Sequence, residues 1–174
     1  MAFFVIVTIA ALIALTLGVA RLYSHLAVQE RQVVGAWDQL ERLLVQRNGH
    51  LQKLYAEAQP RESALNALHE VLRKQEIARR QGDLATVAAT EREIRSAWDA
   101  VSFQHIDIKE EKMDYTARRV AALDQAIRDT LVRYNEALAQ YERTCRSPIY
   151  APLALVGGMG RYAALQPPGT DSKT

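Results

Sequence analysis

From Ala2 to Ala20 the chain carries no charged side chain, and the run AFFVIVTIAALIALTLGVA is built almost wholly from Ala, Val, Ile, Leu and Phe. Nothing else in the sequence restricts the fold so sharply. A helix of that length rises roughly 29 Å at about 1.5 Å per residue, close to the thickness of a bilayer's hydrocarbon core. Residues 2–20 are therefore expected to form a transmembrane anchor that holds the lipid bilayer as its first partner. A cleaved secretory signal is the rival reading, since Gly18-Val19-Ala20 has the small-x-small form of a cleavage site. Such a signal wants Lys or Arg ahead of its apolar run, and only the amino terminus is positive here, which favours a retained anchor. Arg21 and Arg31 follow the span, so the positive-inside rule leans toward a cytoplasmic domain behind it, with Glu30 offsetting part of that bias.

The rest of the chain is poor in helix breakers. Most of the 8 Gly and 5 Pro lie from Pro148 onward, so residues 22–146 favour helices. Their apolar residues recur at helical steps. In the first stretch Val33, Trp37, Leu40, Leu44, Leu51, Leu54 and Ala58 alternate steps of four and three, with Arg47 interrupting the series. This amphipathic helix is expected to end near Gln59-Pro60, because the residue before a proline is pushed out of the α region. A second helix then buries Leu65, Leu68, Val71 and Leu72. Gly82-Asp83 supplies a C-cap glycine followed by an N-cap aspartate, opening a third helix with Leu84, Val87, Ile94, Trp98 and Val101 on one face. The pattern loses phase around His105–Asp107. A fourth helix carries Met113, Val120, Leu123, Ile127, Tyr134, Ala137 and Tyr141, and stops at Ser147-Pro148. Short connections force antiparallel neighbours, so residues 22–146 read as an all-α, up-down, coiled-coil-like bundle of three or four helices. Residues 147–174 form a Pro- and Gly-containing tail. Its stretch PIYAPLALVGG is too short for a second span and reads as a strap on the bundle, with a membrane-surface contact as the alternative; Pro152 and the glycines argue against a continuous amphipathic helix there.

The residues offer no catalytic, cofactor or metal site. The formal charge of +2 comes from interleaved acids and bases, as in Glu91-Arg92-Glu93, and implies no nucleic-acid surface. Cys145 is the only cysteine, so no disulfide forms within the chain, and at a helix end it reads as a structural thiol. His25, His50, His69 and His105 are scattered and read as surface or edge residues. A di-metal carboxylate bundle needs Glu-x-x-His, but Asn66 precedes His69 and Ser102 precedes His105 at that spacing. Gly158-Met159-Gly160-Arg161-Tyr162-Ala163 lacks the strand that a dinucleotide loop requires. Asp107, Glu110 and Glu111 stand beside Lys109 and Lys112 and read as a solvated face, with a metal enzyme using His105 as a distant alternative. Trp37, Trp98, Tyr134 and Tyr141 lie on the stripes and are expected in the core, the alternative being a groove for a partner's helix.

Two stretches carry a resemblance. Ala36-Trp37-Asp38-Gln39-Leu40, followed by Leu44, Arg47, Leu51 and Leu54, resembles the first-helix signature of bacterial LemA proteins. Tyr134-Asn135-Glu136-Ala137-Leu138 with Tyr141 is similar to that family's Tyr-Asn-x-Ala-Val-x-x-Tyr-Asn. The chain departs from the pattern at Gly49-His50-Leu51-Gln52-Lys53, where the family has Asp-Leu-Ile-Pro-Asn, at Leu131 in place of Arg, and at Glu142 in place of the second Asn. The resemblance implies a divergent member: a bundle anchored in the bacterial inner membrane, with no family-wide catalytic residues. The function expected from these readings is a non-enzymatic scaffold or adaptor that recruits an unknown protein partner or a second copy of itself. The alternative is an accessory or regulatory subunit of an envelope enzyme such as a membrane protease.

Overall fold

The computed structural model describes residues 1–58, 63–103, 110–157, 162 and 165, and every regular element among them is helical: α1 (Ala2–Glu57), α2 (Ser63–Gln81), α3 (Leu84–Phe103), α4 (Glu110–Arg146) and α5 (Ala151–Val156). The chain is all-α. The expected stop at Gln59-Pro60, the phase change at His105–Asp107, the turn Gly158–Arg161 and the pair Pro167-Pro168 lie outside the described residues. Two compact units are present, one built from Met1–Trp37 and Glu136–Tyr162, the other from Asp38–Asn135 and Ala163–Thr174.

In the first unit α1 opens with a stretch that is long and apolar enough to cross a membrane. All described side chains from Phe3 to Arg21 are exposed, including Phe3, Phe4, Ile6, Leu15 and Leu17. The stretch has two polar side chains, Thr8 and Thr16, and both turn their hydroxyls inward to donate to the carbonyls of Phe4 and Leu12 at 2.8 Å. Neither threonine therefore leaves its hydroxyl donor to seek water. Burial begins at Leu26, followed by Gln29 and Val33, against the C-terminal part of α4 with Leu138 and Tyr141. The apolar stretch and the first bundle helix are thus parts of one continuous helix, α1.

The second unit is an antiparallel four-helix arrangement. Its core joins Leu51 of α1 and Ala58 just beyond it, Leu65, Leu68 and Leu72 of α2, Ile94 and Val101 of α3, and Val120 of α4, with Trp98 and Met113 packed on its edge. Cross-helix ion pairs confirm the directions: Lys112 reaches Glu57 at 3.1 Å, and Lys74 reaches Glu93 at 3.3 Å. The buried apolar positions of α1, with Arg47, form two strict seven-residue series, Leu26, Val33, Leu40, Arg47, Leu54 and, on the other row, Leu44 and Leu51, continued by Ala58 just past the helix; Gln29 and Asn48 are buried beside them. This is the period of left-handed coiled-coil packing. Trp37, on the second row, is half-buried. On α4 the reading of the stripe needs adjustment. Leu123 and Ala137 are half-buried, and the deep places belong to Leu131 and Leu138. One row of the heptad is fixed by the period, while the second tilts toward whichever neighbour the helix packs on, which periodicity alone does not contain.

The turn between α2 and α3 follows from Gly82-Asp83. Gly82 adopts φ +70°, its N–H donates to the carbonyl of Arg79 at 3.1 Å, and the N–H of Asp83 donates to that of Ala78 at 2.9 Å. These two bonds close a Schellman motif. Asp83 then caps α3: its carboxylate accepts the N–H of Thr86 at 3.1 Å and that residue's hydroxyl at 2.6 Å. Both bonds favour the ionised carboxylate and hold the Asp83 pKa below its ordinary value. A Cβ at position 82 meets open space, so only the left-handed backbone opposes substitution. Gly82→Ala is expected to cost about 1–2 kcal/mol, with Gly82→Asn milder. Urea unfolding of the full chain in micelles reads this, and an unchanged midpoint for Gly82→Ala would remove the left-handed cap from the account.

Candidate functional site

The most unusual chemistry in the fold is a polar layer through the middle of the four-helix unit. Arg47 of α1 is 3% exposed. Its guanidinium donates from Nη1 to Glu91 Oε2 and from Nη2 to Glu91 Oε1, both at 2.6 Å, in a two-pronged pair with α3. Nη1 also reaches Asp124 Oδ1 of α4 at 3.3 Å. Asn48 Oδ1 accepts from Nε at 3.3 Å and from Nη2 at 3.0 Å. The amide of Asn48 donates to Gln75 Oε1 of α2 at 2.6 Å, and Gln75 Nε2 donates to Glu91 Oε1 at 2.6 Å and, more weakly, to the carbonyl of Val87. Each of the four helices supplies at least one member. All three guanidinium nitrogens are engaged, which a buried arginine requires.

The layer's charge is fixed by its own members. Burial works against the arginine's charge, but Glu91 and Asp124 outweigh it and raise the guanidinium pKa above its ordinary value. Beside the layer, between Leu51, Ile94, Trp98 and Val120, the free volume is about 10 Å³. That is no more than the space of one water. A closed, mutually satisfied network of this kind acts as a register device: the helices meet in the one alignment that brings the four partners to the same level.

A more open feature lies on the same unit. Gln46, Gly49, His50 and Lys53 of α1 and Arg119, Ala122 and Leu123 of α4 line a groove of about 470 Å³. Gly49 and Ala122 are the small residues of its lining, His50, Lys53 and Arg119 the titratable ones, and none of the lining residues is acidic. Its exposed lining is more apolar than polar, so it suits a segment that combines apolar contact with acidic side chains. Elsewhere on this unit His69 stacks on Tyr55 with ring centroids 4.1 Å apart, and Tyr55 Oη donates to Asn66 at 3.1 Å. His69 is thus an edge residue between α1 and α2. Among the described residues no three His, Cys, Asp or Glu side chains come together as metal ligands. Glu110 and Glu111 are exposed in the first turn of α4, while Asp107 and His105 lie outside the described residues.

The tail makes a separate set of contacts in each unit. In the four-helix unit Leu165 is buried, and Asn135 clasps its backbone, donating to its carbonyl at 2.7 Å and accepting its N–H at 3.2 Å. In the unit that holds the apolar stretch, Tyr162 donates to Glu30 Oε1 at 3.2 Å and meets Tyr141 edge-on at 6.0 Å, and Tyr150 lies 5.7 Å from the His25 ring. Burial and the nearby Glu30 carboxylate push the Tyr162 phenol up; Tyr141 is pushed up by burial and by its neighbour Cys145. Tyr162 and Leu165 behave as strap residues. Pro152 does not prevent helix in the tail; it sits at the start of α5, where a missing N–H costs nothing.

Of the residues singled out in the sequence, Leu40, Leu44, Leu54, Ile127, Tyr134 and Tyr141 are buried, Trp37, Asn135 and Ala137 are half-buried, and Gln39 is exposed. Arg47 is joined to partners that the sequence reading passed over: Asn48, Gln75, Glu91 and Asp124. A signal for them existed. Gln75 follows Leu72 by three, Glu91 falls between Val87 and Ile94, and Asp124 between Val120 and Ile127, each on a core slot of its own stripe. No protein-family model matches this chain, and neither does any curated protein or solved structure.

Proposed function

We propose that this chain is a membrane-anchored, non-enzymatic scaffold, a divergent LemA-like protein of the bacterial inner membrane, whose bundle recruits a protein partner through the basic α1/α4 groove. The observation that carries the reading is the single helix Ala2–Glu57, which bears a wholly exposed apolar stretch at one end and core positions of the four-helix unit at the other. A chain so built carries its bundle behind a stretch fit to cross a membrane. The central polar layer is closed and self-satisfied, and supports alignment of helices better than turnover of a substrate. Arg21 and Arg31 favour the cytoplasmic side for the bundle. The groove's His50, Lys53 and Arg119 favour an acidic segment as its occupant.

A photo-crosslinking side chain at Ala122 of the full-length protein, in cells that also carry a C-terminal tag, tests this directly. The expected result is one discrete crosslinked product that disappears in the Lys53→Glu/Arg119→Glu variant, with a tag protected from protease in intact spheroplasts. A product of twice the chain's mass identifies the occupant as a second copy. An absence of any product, together with a strict monomer by light scattering, would remove the scaffold reading, and a tag cleaved in intact spheroplasts would move the bundle to the other face.

A further inference from the structure

The tail segment around α5 has no explanation in the bundle. Ile149 is 62% exposed, Leu155 83% and Val156 87%, so three large aliphatic side chains, two of them adjacent, stand almost free. Their place in the first unit is specific. The chain descends α4 past Tyr141, sets the Tyr150 ring 5.7 Å from His25, forms α5, and returns at Tyr162 to Tyr141 and Glu30. In the chain α5 lies between these two attachments. His25 follows the last residue of the apolar stretch, Ala20, by five positions, which is about 7.5 Å along the helix axis. The interfacial layer outside a bilayer's hydrocarbon core is roughly 5–8 Å deep on each side. Tyr150 thus sits where aromatic residues gather at membrane surfaces, as does the exposed Tyr23.

We infer that Ile149, Leu155 and Val156 are a second membrane contact, with α5 lying in the headgroup and acyl boundary beside the exit of the α1 span. This rests on the reading of residues 2–20 as a span. Charge agrees with it: no acidic residue occurs between Glu142 and Asp171, while Arg21 and Arg143 are exposed on the helices nearby and suit anionic headgroups. Half-buried Leu153 and Ala154 face the protein and leave the opposite side of this short helix to the lipid. The span alone leaves α1 free to tilt and turn about its axis. A contact at α5, held to α1 through Tyr150 and Tyr162, would fix which face of the helix pair meets the membrane plane.

The test uses the full chain in phosphatidylcholine and phosphatidylglycerol vesicles, with the lone cysteine replaced (Cys145→Ser) and an environment-sensitive fluorophore placed in turn at Val156→Cys, Leu12→Cys and Arg118→Cys. The expected result is blue-shifted emission at position 156 that is quenched several-fold by a nitroxide carried near the headgroup. Position 12 should be quenched best by a nitroxide deep in the acyl chain, and position 118 should stay water-like. Adding Leu155→Asp should return position 156 to water-like emission while leaving position 12 unchanged. Water-like emission at 156 with a quenched position 12 would overturn the α5 contact and leave the span standing. Water-like emission at both would overturn the span and this contact with it.

Discussion

Replacing Arg47 with methionine is expected to lower the unfolding free energy by about 3–5 kcal/mol, because it strands two carboxylates in the bundle. Glu91 and Asp124 are only 14% and 21% exposed, and the guanidinium is the positive charge they face. The Coulombic attraction of the pair is not the whole effect. Removing one partner leaves the desolvation cost of the others uncompensated, which exceeds the net worth of the intact pair. The triple variant Arg47→Met/Glu91→Leu/Asp124→Leu should therefore recover most of the loss, within about 1–2 kcal/mol of the parent. By contrast Arg73→Ala, which breaks the exposed pair with Glu70, should change stability by under about 1 kcal/mol. Thermal and urea unfolding of the full chain in micelles, followed by circular dichroism, gives all three values. A single Arg47→Met variant as stable as the parent would show that the layer does not hold the bundle together. A triple variant that keeps its stability but loses a single well-dispersed NMR spectrum would locate the layer's value in register rather than in energy.

Leu40→Asp and Ile127→Asp are each expected to abolish cooperative folding of the bundle. Leu40 is 2% exposed and Ile127 5%, each on a core row of its helix. The change removes the stabilisation of a buried aliphatic side chain, about 1.5–3 kcal/mol, and places an unpaired carboxylate where no partner stands ready. The second term is larger, several kcal/mol even after relaxation. Their sum approaches the whole stability of an ordinary domain, about 5–15 kcal/mol. Leu40→Met keeps volume and apolarity and should cost less than about 1.5 kcal/mol. Val132→Asp, at an exposed α4 position, should stay within about 0.5 kcal/mol of the parent. A Leu40→Asp chain that melts cooperatively near the parent temperature would mean that the heptad face is not the core face.

Much of this architecture is legible in the sequence for a simple reason: its elements are long and their periods are unbroken. The long apolar helix needs only an uncharged apolar run, and the helix faces need only steps of three and four. The turn at Gly82-Asp83 is equally local, since one residue without a Cβ and one short carboxylate satisfy neighbouring backbone groups. The site is another matter. Arg47 looks like an interruption when its stripe is read alone, and Glu91 disappears among the surface charges of Glu91-Arg92-Glu93. On α4 the choice between Leu123 and Asp124 for the inner row depends on which helix lies alongside. Asn135 gave no local sign that it would hold the backbone of Leu165, thirty residues later in the chain.

The sequence by itself determined the helical class, the apolar stretch, the heptad rows and the tight turn at Gly82-Asp83, because each depends on interactions within a few residues along the chain. Only the tertiary structure decided that Arg47, Asn48, Gln75, Glu91 and Asp124 occupy one layer, that Tyr150 and Tyr162 fasten the tail to α1, and that α5 leaves its aliphatic residues uncovered. Those outcomes depend on how far one helix slides along another. That offset is set by packing between distant segments and by the cost of burying an unpaired charge, and neither is written in the periodicity of any single helix.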